Sequence, residues 1–151
     1  MSPLNRCIII TSYLSARLRD IFDFREDDFI ICADGGYSHA CAEGIRADVL
    51  IGDFDSLNDD PSDSIALKNN DSAFDDAGIE GSRLSNGCRI FRHAVEKDDT
   101  DTMICLNYGI DQGFGEFYIL GGLGGRLDHT VANLQTMSYA VDRGKSIWIL
   151  D

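Results

Sequence analysis

Five short apolar runs, rich in β-branched residues, constrain this chain more than any other feature: Cys7-Ile8-Ile9-Ile10, Phe29-Ile30-Ile31-Cys32-Ala33, Val49-Leu50-Ile51, Phe117-Tyr118-Ile119-Leu120 and Ile147-Trp148-Ile149-Leu150. The first of these suits a strand buried on both faces of a parallel sheet, and the others read as further strands. Cys88 to His93 alternates in character and adds a sixth candidate strand. Helical patterns fall between the runs. Residues 12–24 space Leu14, Leu18, Ile21 and Phe22 as an amphipathic helix would, and Tyr37 to Glu43 form a short helix closed by Gly44. Thr100 to Tyr108 sets Met103, Ile104 and Leu106 on one face, with Asp99 or Thr100 as cap. A longer helix runs from about Asp128 to Val141, with Val131, Leu134, Met137 and Ala140 or Val141 as its inward stripe and Gly144 as its stop. Strands alternating with helices predict an α/β fold, a Rossmann-like three-layer sandwich with a mostly parallel sheet. Residues 1–151 are expected to form one domain. Leu57 to Asn86, rich in Ser, Asn, Asp and Gly, is expected to be a surface loop with a helical turn around Ser62–Lys68.

Net charge is −13, which argues against binding nucleic acid phosphates or anionic lipid by charge alone. Most of the carboxylates serve solubility, but a minority stand beside glycines at strand ends. The five cysteines are odd in number and lack CxxC spacing, so neither a disulfide framework nor a zinc site is expected, and a reducing cytoplasm fits. No window reaches the ~18 apolar residues of a membrane span, and no secretion signal opens the chain.

In parallel sheets, ligands bind outside the carboxyl ends of the strands. Four segments fall there. Gly52-Asp53-Phe54-Asp55-Ser56 follows the third run; in an extended chain its two carboxylates leave on one side, about 6–7 Å apart, within reach of one hard cation. Taken alone, the pair fits a metal site and a loop of Asx-turns equally well. Lys97-Asp98-Asp99-Thr100-Asp101 offers a cation for phosphate beside further acids, and capping is compatible with that use. Gly121-Gly122-Leu123-Gly124-Gly125, followed by Arg126 and Asp128, either admits a phosphate close to the backbone or makes a tight strand-to-helix turn. It is neither a GxxxxGK[ST] loop nor a GxGxxG fingerprint. Asp34-Gly35-Gly36 alone reads as an ordinary turn. His129 is the histidine placed near these segments, whereas His39 and His93 read as structural or surface residues. No nucleophile elbow is present.

Together, and in this order, the four segments resemble the catalytic domain of the thiamin pyrophosphokinase family, from about Cys7 to Leu150. The resemblance implies an enzyme that moves the pyrophosphoryl group of ATP onto the hydroxyl of thiamin, giving thiamin diphosphate and AMP. It implies Mg²⁺ held by Asp53, Asp55 and Asp101, with Asp34 nearby, and Asp98 or Asp101 as proton acceptor. Lys97 would hold phosphate, and Gly35, Gly36, Ser56, Thr100, Gly121, Gly122, Gly124, Gly125, Arg126 and Asp128 would line the nucleotide and substrate cleft. It further implies a cytoplasmic homodimer and a C-terminal all-β domain that supplies part of the thiamin pocket, which would begin where this chain stops at Asp151. Two alternatives stay open: the same transfer to another alcohol, such as a hydroxymethylpterin, and a non-catalytic Mg-nucleotide-binding module.

Overall fold

The structure is a computed structural model that describes residues 5–33, 35–52, 68–74, 80–83, 88–92, 100–124 and 126–151. Its elements are β1 (Arg6–Ile10), α1 (Leu18–Ile21), β2 (Phe29–Ala33), α2 (Gly36–Ala42), β3 (Val49–Gly52), β4 (Lys68–Phe74), β5 (Glu80–Arg83), β6 (Arg89–Arg92), α3 (Asp101–Asp111), β7 (Glu116–Leu120), α4 (Leu127–Asp142) and β8 (Ser146–Leu150). One sheet takes the order β4-β5-β6-β3-β2-β1-β7-β8. Its six strands from β6 to β8 are all parallel, while β4 and β5 extend the β6 edge antiparallel.

All five apolar runs are strands. Period-2 alternation divides their side chains between two cores. Cys7, Ile9, Ile31, Val49, Ile51, Phe117 and Ile119 face α3 and α4, with Ile104, Cys105, Leu106 and Ala140 packed on them. Ile8, Ile10, Ile30, Cys32, Leu50, Ile90 and Leu120 face α1 and α2, meeting Leu18, Tyr37 and Ala40. The result is three layers with the sheet in the middle. At the opposite end of β1 from the expected site, Arg6 is buried and grips Asp28 with two bonds of 2.8 and 2.7 Å. Its guanidinium lies between the rings of Phe22 and Tyr118, 4.7 and 5.4 Å from their centroids.

Three expectations are corrected. Within 57–86, residues 68–74 and 80–83 are strands, and Lys68 belongs to the first of them. No apolar run announces them, because they are held by backbone ladders; β5 pairs with β6 from Glu80↔Arg92 to Arg83↔Arg89. The expected helical turn lies otherwise outside the described residues. The helix over 12–24 is a single turn, Leu18–Ile21. Leu14, Leu18, Ile21 and Phe22 do pack on the core, but the backbone before them bonds elsewhere: the Tyr13 carbonyl accepts from Gly122 N at 2.7 Å. Glu43 then caps the short turn, accepting from the N–H groups of Leu18 (2.7 Å) and Arg19 (3.0 Å).

The third correction concerns α4. Its inward face carries Asn133, Thr136 and Ala140, with Met137 partly buried, while Val131, Leu134 and Val141 are exposed. The polar members are inward because each has an acceptor: Asn133 bonds the Gly122 carbonyl and Thr136 the Ala132 carbonyl. The expected stops hold, with Gly44 and Gly144 at φ +70° and +75° just past their helices.

Candidate functional site

The strand order reverses at β1. From β1 the chain moves outward through β2 and β3 to β6, then returns to the other side of β1 for β7 and β8. Right-handed crossovers therefore place α1 and α2 on one face and α3 and α4 on the other. The carboxyl ends of β1 and β7 flank the point of reversal, the place where a doubly wound sheet opens a crevice for ligands.

Both glycine segments close on the end of β1. A Cβ on Gly36 would stand 2.1 Å from the Ile10 carbonyl oxygen, so only glycine lets the start of α2 lie on this strand. Gly35 stands one residue earlier as the N-cap of α2 and accepts from Ser38 N at 3.1 Å. On the other side, Gly121 and Gly122 take φ +88° and +91°, where side chains are strained. A Cβ on Gly121 would sit 2.2 Å from the Tyr13 carbonyl oxygen, and one on Gly122 would sit 2.3 Å from Asn133 Nδ2.

The amides of residues 121–124 are all engaged within the protein. Gly121 N donates to the Leu150 carbonyl (2.6 Å) and Gly122 N to the Tyr13 carbonyl (2.7 Å). Leu123 N and Gly124 N both donate to Asp151 Oδ2, at 3.2 and 3.1 Å. Two carbonyls of this turn are engaged too, Gly122 O by Asn133 Nδ2 (3.0 Å) and Leu123 O by the Thr130 hydroxyl (3.2 Å). Thr11 ties the ends of β1 and β7 together, its hydroxyl donating to Leu120 O at 3.0 Å. The glycines thus serve close packing of three chain segments.

Arg126 and Asp128 follow the turn at the start of α4, paired at 2.8 Å and both exposed, at 70% and 62% of their side-chain surface. Desolvation opposes ionisation of Asp128, but the charge of Arg126, the His129 N–H, the His129 ring and the Arg126 hydrogen bond together outweigh it and hold the carboxyl below its ordinary value. So exposed an ion pair contributes little to stability, which leaves the guanidinium able to exchange partners. His129 lies beside Tyr13, ring centroids 5.1 Å apart. His39, on α2, donates from Nε2 to the Ser12 carbonyl at 2.8 Å and is structural, as expected.

At the start of α3, Thr100 is the cap; its hydroxyl accepts from Met103 N at 3.2 Å. Asp101, half-buried, opens the helix, where the N-terminal dipole favours a carboxylate. Asp34, Asp53, Asp55, Ser56, Lys97, Asp98 and Gly125 lie outside the described residues, as do His93 and Asp99. Among the described residues no group of three His, Cys, Asp or Glu side chains could hold a metal ion, and no helix is long and apolar enough to cross a membrane. Thr11, Tyr13, Asn133 and Asp151 line this region without having been singled out from the sequence. Asp151 carried a usable signal, an acid directly after an apolar run, as Asp53 follows the run at Val49–Ile51 by one glycine.

The family described as thiamin pyrophosphokinase, catalytic domain, matches residues 24–149. The chain belongs to this family. Solved structures agree in fold with the thiamin pyrophosphokinase domain so recognised. A thiamin pyrophosphokinase family protein from Enterococcus faecalis has TM-score 0.66 at 22% identity, covering 96% of this chain and 61% of its own. Thiamin pyrophosphokinase from Geobacillus thermodenitrificans gives 0.63 at 21%, covering 95% and 58%. That from Candida albicans gives 0.58 at 16%, covering 95% and 56%. At these identities the likeness is one of fold, and the chain spans about three fifths of the length of the thiamin pyrophosphokinases it matches. No curated protein matches it.

Proposed function

We propose that this chain carries the catalytic half of an ATP:thiamin pyrophosphotransferase, moving pyrophosphate from ATP to the thiamin hydroxyl to give thiamin diphosphate and AMP. The observation that carries this reading is the family match over residues 24–149. The strand reversal between β1 and β7, with the exposed Arg126–Asp128 pair at the start of the helix that follows β7, supports it.

In this reading the acceptor oxygen bonds to the β-phosphorus of ATP, the bond from that phosphorus to the AMP oxygen breaks, and the alcohol proton passes to Asp98 or Asp101. Such transfers depend on positioning and on neutralising spread negative charge. Asp53, Asp55 and Asp101 would hold Mg²⁺; three carboxylates with no thiolate or imidazole among them are the hard-oxygen donors this ion takes. Bound there, the ion would neutralise phosphate charge. Lys97 and Arg126 add cations of the chain's own, with Ser56 and Thr100 as hydroxyl partners. Because the amides of residues 121–124 are engaged, the glycine turn would line the cleft through its shape; Asp34, Gly35, Gly36 and Gly125 would also serve nucleotide binding. The protein would work in the cytoplasm as a homodimer.

The test is incubation with ATP, Mg²⁺ and thiamin, following nucleotides and thiamin esters by chromatography. AMP and thiamin diphosphate formed in equal amounts are expected. Formation of ADP, or transfer to a hydroxymethylpterin but not to thiamin, would overturn the assignment. Asp55→Asn is expected to lower turnover by at least about a hundredfold while leaving the far-ultraviolet circular dichroism unchanged.

A further inference from the structure

The geometry points to Asp151 as a positioning residue for the nucleotide end of the site, its carboxylate locking the glycine turn to the β1–α1 loop and so setting where Arg126 and Asp128 stand. This rests on the function proposed above. Oδ1 accepts from Ser15 N at 2.9 Å, and Oδ2 accepts from Leu123 N and Gly124 N at 3.2 and 3.1 Å. One side chain therefore satisfies three backbone donors from two loops that flank the strand reversal. The fold delivers it there through the β7–β8 ladder, which pairs Leu120 with Leu150 and leaves the next residue against the turn. Gly124 lies close against the same loop: a Cβ there would stand a tight 3.1 Å from Ser15 Oγ and in ordinary contact, 3.7 Å, with Asp151 Oδ2.

Charge-assisted bonds of this kind are stronger than neutral ones, and here they hold the turn on the side from which the chain enters Arg126, whose own carbonyl accepts from Thr130 N at 3.3 Å. Gly121 and Gly122 are tied by main-chain partners that belong to the sheet and loop themselves. Leu123 and Gly124 instead depend, for their amides, on this one carboxylate. Partial desolvation of Asp151 opposes its ionisation, but the N–H groups and the Ser15 side chain outweigh that and keep the carboxyl below its usual value. The group is thus an anion at neutral pH.

Asp151→Asn tests the assignment. An amide of the same shape has one acceptor oxygen, so its NH₂ must face either Ser15 N–H or the Leu123 and Gly124 pair. The readout is calorimetric titration of the whole chain with Mg·ATP, which separates affinity from the fraction of protein able to bind. Kd is expected to rise roughly tenfold, the scale of a catalytic group displaced by a fraction of an ångström, with stoichiometry unchanged. Amide resonances of Ser15, Leu123 and Gly124 should move together. A merely structural loss would lower stoichiometry and leave Kd as it was. Should Asp151→Asn not fold, Asp151→Glu, which keeps the charge but displaces it by a methylene, is expected to raise Kd in the same sense. Unchanged Kd in a folded variant overturns the positioning role alone. A wild-type chain that binds no Mg·ATP overturns the proposed function, and the positioning role with it.

Discussion

Asn133, in the second turn of α4, donates from Nδ2 to the carbonyl of Gly122 across 3.0 Å, and both residues are buried. The helix thereby holds the turn that leads into it. Asn133→Ala leaves a buried carbonyl without that partner and is expected to cost about 1–3 kcal/mol. Urea unfolding measures it. Asn133→Asp should cost at least as much, because it sets a carboxylate against the same carbonyl.

The Arg6–Asp28 pair is sheltered, with Asp28 fully covered, and Asp28 also accepts from Arg25 N at 2.7 Å. Removing one partner strands the other charge, so Asp28→Ala is expected to destabilise by about 3–5 kcal/mol. Replacing both partners at once, Arg6→Met with Asp28→Leu, should cost clearly less than the sum of the single changes. A double-mutant cycle in denaturant decides between coupling and independence.

Gly36→Ala would force a methyl group into the Ile10 carbonyl at 2.1 Å, a backbone contact that no rotamer relieves. Overpacking of this type costs about 1–3 kcal/mol. Gly44→Ala meets nothing within 4 Å, yet φ of +70° still strains it. The expected ranking by thermal unfolding is wild type, then Gly44→Ala, then Gly36→Ala.

Thiol chemistry should be confined to one residue. Cys41 is exposed, while Cys7, Cys32, Cys88 and Cys105 are buried. Burial pushes the Cys88 thiol up to about 12 and raises the other three as well. Thiolate is the reactive form, so a disulfide reagent at neutral pH is expected to titrate one fast thiol natively and five in denaturant. Peptide mapping after brief alkylation should find the label on Cys41.

Asp151 predicts a pH dependence of known sign. A carboxyl held below its unfolded value stabilises the fold above about pH 3.9, the ordinary aspartate value, and loses that contribution as pH falls through its folded value. The stability difference between wild type and Asp151→Asn should therefore be full at neutral pH and shrink on acidification below about pH 4. Urea midpoints at a series of pH values check it.

The central strands were legible because burial on both faces leaves an unmistakable mark: Ile8, Ile9 and Ile10 are all fully covered. Helix ends were legible where a glycine takes positive φ, as at Gly44 and Gly144. What could not be read has a common cause, in that a polar group's partner lies far along the chain. The inward place of Asn133 was hidden because its acceptor, Gly122 O, lies outside the helix and is invisible to helical periodicity. The loop at Tyr13 looked helical because its partner, Gly122, is more than a hundred residues away. At the site, glycine spacing located the turn but could not show that Asp151 already engages its amides.

Trp148 is the only tryptophan in the chain. It stands on β8, 46% exposed, stacked on Tyr118 of β7 with ring centroids 4.9 Å apart and planes within 13°. The molecule therefore carries its own optical probe on the strand that ends at Asp151. Excitation absorbed by Tyr118 passes to one indole, and emission from that indole follows the docking of β8 against β7 without any label.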